Sequence, residues 1–146
     1  MSYYLPQGPF IRVATGGVLN SSALEDIPGL ALAVDQGTYL VKASIWGINS
    51  NAVVAKAGVA LSTSAGSAST VLLTVQNIDA ATNQENIADW DTETTNQGIV
   101  ATADNGLIIE GTIVIDKPGT FSLQLNTGEE ACTIYTSSQL ILYKVA

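Results

Sequence analysis

Short segments in which apolar and polar residues alternate limit what this chain can fold into. In residues 120–126, Phe121, Leu123 and Leu125 alternate with polar residues, and residues 38–48 follow the same period. A period of two predicts a strand with one buried face, because successive strand side chains point to opposite sides. Further segments of this kind lie at residues 53–61, 70–77, 98–103, 107–116, 133–136 and 139–145.

Clusters of turn-forming residues separate these segments, as at 62–67, 104–106 and 117–119. Residues 79–96 alone suit a short helix or a long loop, and no other segment has the apolar spacing of an amphipathic helix. We therefore predict an all-β protein in which residues 38–146 form one antiparallel β-sandwich or jelly roll.

Residues 1–37 differ from the rest because proline and glycine interrupt every short apolar stretch. This pattern predicts an extended N-terminal arm with brief strands rather than a helix. Large side chains on an arm are favoured at protein interfaces. We expect the arm to contact a neighbouring subunit through Tyr3, Tyr4, Leu5 and Phe10. A segment that folds back on its own domain is the alternative.

The final predicted strand is apolar on both faces. Ile141 and Tyr143 alternate with Leu140 and Leu142, and only Lys144 breaks the pattern. In an antiparallel sandwich the outer face of a sheet normally contacts water, so this strand predicts a partner that covers it. Residues 107–116 repeat the pattern more weakly. The alternative is a central strand with a few exposed apolar side chains, which is common in monomers.

The composition excludes several kinds of chemistry. The 146 residues include no histidine and a single cysteine, so sites that need histidine and an internal disulfide are both excluded. Five basic and 13 acidic residues give a formal charge of −8, which disfavours contact with nucleic acid. Charged residues form 12% of the chain, against about 25% in typical domains. A surface this poor in charge is typical of one that other protein covers.

The first residues lack the basic and apolar pattern of a secretory signal, and no apolar run is long enough to cross a bilayer. We therefore expect a soluble protein that is made in the cytoplasm and does not contact a membrane.

Few residues suggest a ligand site. The acidic side chains Asp89, Asp91 and Glu93 alternate, which would suit a calcium ion, but the segment lacks the glycine and glutamate positions of an EF-hand. A solvated acidic loop is the simpler interpretation, and we predict no metal and no cofactor. Trp46 and Trp90 would suit sugar stacking, whereas packing in the core or an interface is the more common role of tryptophan.

No pattern identifies a reaction. The sequence contains neither a nucleophile elbow nor a phosphate-binding loop, and no second carboxylate can be paired with Glu110 from the sequence. Cys132 has apolar neighbours and is predicted to be a small buried strand residue rather than a reactive thiol. We therefore predict a protein that is not an enzyme.

Three segments resemble strands of the trimeric jelly rolls of the tumour-necrosis-factor-like type. Residues 37–45 and 137–145 resemble the early and final strands of that fold, and residues 119–125 resemble its late strand of the form Gly-x-Phe-x-Leu-x-Leu. The resemblance implies a homotrimer whose axis lies near the final strand. On that basis Leu140, Ile141, Leu142 and Tyr143 are the expected trimer contacts.

Within that fold, the low charge and the bias to Ala, Thr, Ser and Asn look like a virion protein of a tailed bacteriophage. The likeness is greatest to capsid decoration or cement proteins. It implies a trimer, made in the host cytoplasm, on the outer surface of the head, where it binds the major capsid protein and stabilises the capsid. On that basis the arm residues Tyr3, Tyr4, Leu5 and Phe10 are the expected contacts with the capsid or a neighbouring trimer. The alternative is the receptor- or sugar-binding trimeric head of a tail fibre.

Overall fold

The computed structural model describes residues 7–49, 55–63, 67–78, 84–95, 97–99 and 105–146. In these ranges the chain forms strands joined by turns, with no α-helix, and the strands assemble into two antiparallel sheets. The prediction of an all-β sandwich is confirmed. Stacking two sheets buries the apolar side of each strand, which is what the alternating segments require.

The described residues form twelve strands, numbered in chain order. They are β1 (Gln7–Val13), β2 (Gly17–Leu19), β3 (Glu25–Val34), β4 (Gly37–Asn49), β5 (Ala55–Thr63), β6 (Thr70–Asn77), β7 (Gln84–Ile87), β8 (Gly98–Ile99), β9 (Asn105–Ile115), β10 (Gly119–Asn126), β11 (Cys132–Ile134) and β12 (Gln139–Lys144).

Residues 79–96 were expected to form a short helix or a long loop, and that prediction is wrong for residues 84–87. These residues are strand β7, which pairs with β6 at the edge of its sheet. The backbone of an edge strand gains a ladder of hydrogen bonds even where the sequence contributes a single buried apolar residue, here Ile87.

The larger sheet has eight strands, and six of them follow the order β1-β12-β4-β9-β6-β7. Strand β4 is long enough to pair with β12 along its first part and with β11 along its last part, and β2 pairs with β11 in turn. The smaller sheet has the order β3-β10-β5-β8. The centre of the larger sheet is the pair β4–β9, in register from Gly37 opposite Ile115 to Gly47 opposite Asn105.

The space between the sheets is filled by apolar side chains from both. Phe121 meets the ring of Trp90 edge to face, with 6.1 Å between ring centroids. Such a pair adds a favourable contact to the burial of two large side chains. The largest fully buried side chains are Phe121, Ile27, Leu30, Ile45, Leu73, Ile99, Leu107, Ile109, Ile113, Ile115, Leu123 and Leu125.

The described part of the predicted arm pairs with its own domain. Strand β1 lies beside β12, with Phe10 opposite Leu142, and β3 lies beside β10. Leu30 of β3 is fully buried in the core. From β1 onward the described part of this segment therefore pairs with strands of the two sheets.

One end of the sandwich buries polar side chains between the sheets. The Asn77 amide nitrogen donates to Asn105 Oδ1 at 2.8 Å, and the Asn77 backbone N–H donates to Gln97 Oε1 at 3.0 Å. The Glu85 carboxylate accepts the backbone N–H groups of Thr95, at 2.7 Å, and of Gln97. Because buried polar groups are costly without partners, this network fixes the position of residues 95 and 97.

Candidate interaction surface

The outer face of the larger sheet is where the exposed apolar side chains of the described residues are concentrated. Seven large apolar side chains remain exposed, and all seven belong to strands of this sheet. Six of them occupy strand positions whose side chains point away from the core, and 44–63% of each side chain is exposed: Ile11, Val13, Val18, Leu40, Leu72 and Val114. We call this side of the sheet the outer face.

Strand register places two of these side chains, Leu40 and Leu72, in one row across the sheet. Leu72 and Leu40 both lie opposite Thr112, and Leu40 lies opposite Tyr143, so one row crosses four strands. Side chains opposite each other on neighbouring strands are in direct contact range. The half-buried Ile141 lies in the adjoining row, opposite Lys42, and the half-buried Ile108 lies one row further, opposite Ser44.

The outer face contains two neighbouring shallow depressions of about 440 and about 210 Å³. Lys42 and Glu110 line both of them. These two residues lie opposite each other on β4 and β9, and both are exposed. Shallow depressions of this kind suit the side chains of another protein surface better than an enclosed small molecule.

The smaller sheet has a different outer surface. Its outward positions on β5 and β10 are polar or small: Lys56, Gly58, Ala60, Ser62, Thr120, Ser122, Gln124 and Asn126. Part of this surface is also covered by the chain itself, since a side chain at Gly58 would meet Leu24 Cδ1 at 2.6 Å. Among the described residues the two faces of the sandwich therefore differ, and the larger sheet carries the apolar one.

The four predicted trimer contacts lie on both sides of β12. Leu140 and Leu142 are in the core, with 0% and 1% of their side chains exposed, so assigning them to a subunit contact requires correction. A side chain that fills the interior of its own domain is not available to another subunit. Ile141 and Tyr143 are half-buried on the outer face.

Of the four residues predicted to contact the capsid, Tyr3, Tyr4 and Leu5 lie outside the described residues. Phe10 lies on β1, which is an edge strand of the larger sheet, and 42% of its side chain is exposed. Leu40 and Leu72 were not singled out from the sequence. The sequence does indicate that they point outward, because each lies between two apolar residues that point into the core.

The acidic segment predicted as a weak calcium candidate has a structural role in the part that the structure describes. Glu93 pairs with Lys56 at 3.5 Å and accepts a hydrogen bond from the Asn126 amide at 2.7 Å. The backbone N–H of Asp91 donates to Val59 O at 2.8 Å. No group of three metal-ligating side chains occurs among the described residues. These contacts tie residues 91–93 to the smaller sheet.

Both tryptophans are half-buried. Trp90 donates from Nε1 to Ser69 O at 2.9 Å and packs against the core, as the packing interpretation predicts. Trp46 lies above Gly106 near the end of β4, where a side chain at Gly106 would approach its ring to 2.8 Å. Trp90 thus contributes to the interior, whereas Trp46 borders the outer face.

Cys132 is fully buried, and burial raises the pKa of its thiol from 9.0 to about 11. Because only the thiolate is nucleophilic, this shift lowers the reactive fraction at pH 8 by about 100-fold. We expect no reaction of the folded protein with Ellman's reagent at pH 8 and release of one equivalent of thiol after denaturation. Rapid reaction of the folded protein would contradict the burial of this side chain.

The chain matches no protein-family model, no curated protein and no solved structure. Within the described ranges, we find no helical segment with the length and apolar character needed to span a membrane. The fold and the outer face therefore supply the evidence on function.

Proposed function

We propose that this chain is a non-enzymatic structural protein of a bacteriophage particle, a homotrimer of jelly rolls that decorates the outside of the head and stabilises the capsid. The observation that carries the association is the outer face, an apolar sheet surface with almost no charge. The jelly-roll trimer rests on the resemblance of residues 37–45, 119–125 and 137–145 to trimeric jelly rolls, and the assignment to a phage head rests on the low charge and the bias to Ala, Thr, Ser and Asn.

An exposed apolar sheet face favours contact with protein. Covering a fully exposed valine or leucine side chain contributes about 1.5–3 kcal/mol, and roughly half of that remains available at each outer-face residue. The free energy gained by covering six such side chains equals the lower part of the cost of association, which is about 4–15 kcal/mol. Good packing around Ile141 and Tyr143 would supply the remainder, so self-association through this face is energetically reasonable.

Binding to the head would stabilise the capsid by mass action. A protein that binds the assembled shell and not its separated subunits favours the shell, and a trimer multiplies that effect through several simultaneous contacts. The partners in this proposal are other copies of the chain and the major capsid protein, with no role for nucleic acid or membrane. Phe10, exposed on an edge strand, is available for the capsid contact.

Immunoelectron microscopy of phage particles with an antibody against this protein tests the proposal. We expect label spread over the whole head surface, because a decoration protein occupies many equivalent capsid sites. Label restricted to the ends of tail fibres would contradict the proposal and favour the receptor- or sugar-binding alternative. Particles that lack the protein serve as the control for antibody specificity.

A further inference from the structure

The outer face contains one positive and one negative charge. Lys42 and Glu110 are the only charged residues among the described outward positions of the larger sheet. They lie directly opposite each other, in a row that continues through Thr74 on one side and Ile141 on the other. The two charges are therefore near the middle of an otherwise uncharged surface.

In the part of the chain that the structure describes, neither side chain has a hydrogen-bond or ion-pair partner. On an exposed surface water solvates both groups. If the face is covered, an unpaired charge becomes costly by several kcal/mol, whereas an oppositely charged neighbour offsets much of that cost. Lys42 and Glu110 form no ion pair with each other in the structure, so a covering surface offsets this cost if it presents an acidic group to Lys42 and a basic group to Glu110.

A second copy of the same face meets that requirement. We propose that the outer faces of neighbouring copies contact each other with Lys42 of one copy paired with Glu110 of the next. The inference rests on the proposed trimer and names the contact that orients it. The whole chain has a formal charge of −8, so copies repel in general. An outer face with one charge of each sign has no net charge and is complementary to itself.

The pair between Lys42 of one copy and Glu110 of the next gives the contact its direction. Apolar contacts between Leu40, Leu72 and Val114 tolerate sliding, because dispersion and burial have little directionality. When a charged pair lies inside the contact, every arrangement that leaves the two charges unpaired is less stable. Around a threefold axis, the Lys42 side chain of each copy would meet the Glu110 side chain of the next, so three pairs close the ring.

Charge reversal tests this pairing in the full chain. Sedimentation equilibrium is measured for the wild type, Lys42→Glu, Glu110→Lys, the double variant, and an equimolar mixture of the two single variants. Each single variant places like charges in every contact, and we expect association at least about tenfold weaker per contact. The double variant restores all three pairs and should recover the wild-type oligomer. Both positions are exposed, and urea unfolding checks that the variants remain folded.

The mixture separates contacts between copies from contacts within one chain. In a threefold ring of two variants, two contacts are restored and one like-charge contact remains, so we expect recovery that is partial and weaker than that of the double variant. Absence of any recovery in the mixture would place the pair within one chain and overturn the inference. Full recovery would indicate an even-numbered assembly and would also overturn the threefold arrangement.

Failure of this inference can be told apart from failure of the proposed function. A wild-type protein that sediments as a monomer at micromolar concentration contradicts the trimer itself. Single variants that sediment like a trimeric wild type leave the trimer intact and overturn only the role of Lys42 and Glu110. Both the trimer and the pairing of Lys42 with Glu110 are supported if the single variants lose association, the double variant recovers it fully and the mixture recovers it in part.

Discussion

Replacing Phe121 with alanine is expected to lower the free energy of unfolding by about 3–5 kcal/mol. The side chain is the largest of those fully buried, and its ring packs edge to face against Trp90. Truncation removes the burial of the ring and leaves a cavity that two hydrogen-bonded sheets cannot readily close. Domains of this size are stable by about 5–15 kcal/mol, so the loss is a large fraction of the total.

The chain contains a matched control, since its other phenylalanine, Phe10, is 42% exposed on an edge strand. The change Phe10→Ala is expected to cost less than about 1 kcal/mol, because a partly exposed ring has less burial to lose. Urea unfolding followed by tryptophan fluorescence measures both, and Trp90 reports directly on the surroundings of Phe121. Equal losses for the two variants would contradict the position of Phe121 in the core.

The second large effect is expected at Gly111, in the middle of β9. A side chain at this position would lie 2.2 Å from the backbone oxygen of Leu72 and 2.8 Å from the Cα of Leu73. Both obstacles are backbone atoms of β6, so relief requires the two strands to separate. The backbone angle φ of +155° also disfavours a residue with a side chain. We expect Gly111→Ala to lower the free energy of unfolding by about 3 kcal/mol or more.

A substitution at Gly17 separates the cost of an unfavourable backbone angle from the cost of steric overlap. The φ of Gly17 is +110°, yet a side chain there would meet nothing within 4 Å. The change Gly17→Ala therefore tests the cost of backbone conformation alone, which we expect to be about 1–2 kcal/mol. Denaturant unfolding of both variants gives the difference, and a loss at Gly17 equal to that at Gly111 would show that the approach of β6 is unimportant.

Alternation was sufficient to predict most strands because each has its own period-two pattern. Strand β6 has the predicted bounds, since Val71, Leu73 and Val75 alternate toward the core. Strand β7 has one buried apolar residue, Ile87, and so provides no pattern to detect. Its pairing with β6 depends on the register of distant residues, which local sequence does not contain.

The sequence of β12 does not distinguish its core residues from its outer-face residues. In β12 the sequence shows two apolar faces, but a period of two is symmetrical and does not say which face points into the core. Pairing with β4 decides this, because Leu142 lies opposite Val41, which is buried, and Tyr143 lies opposite Leu40, which is exposed. The charges that matter on the outer face, at Lys42 and Glu110, become neighbours only through the β4–β9 register.

The polar outer surface of the smaller sheet limits how large an assembly of this protein can grow. Its outward positions carry polar or small side chains, and Leu24 and residues 91–93 lie against them. Copies that join through the opposite surface expose this hydrophilic side to the solvent. In the part of the chain that the structure describes, such an assembly presents no second apolar face to which a further copy could bind. If copies associate through the outer face alone, assembly stops once that face is covered, whereas a sandwich with two apolar faces would form open-ended fibres.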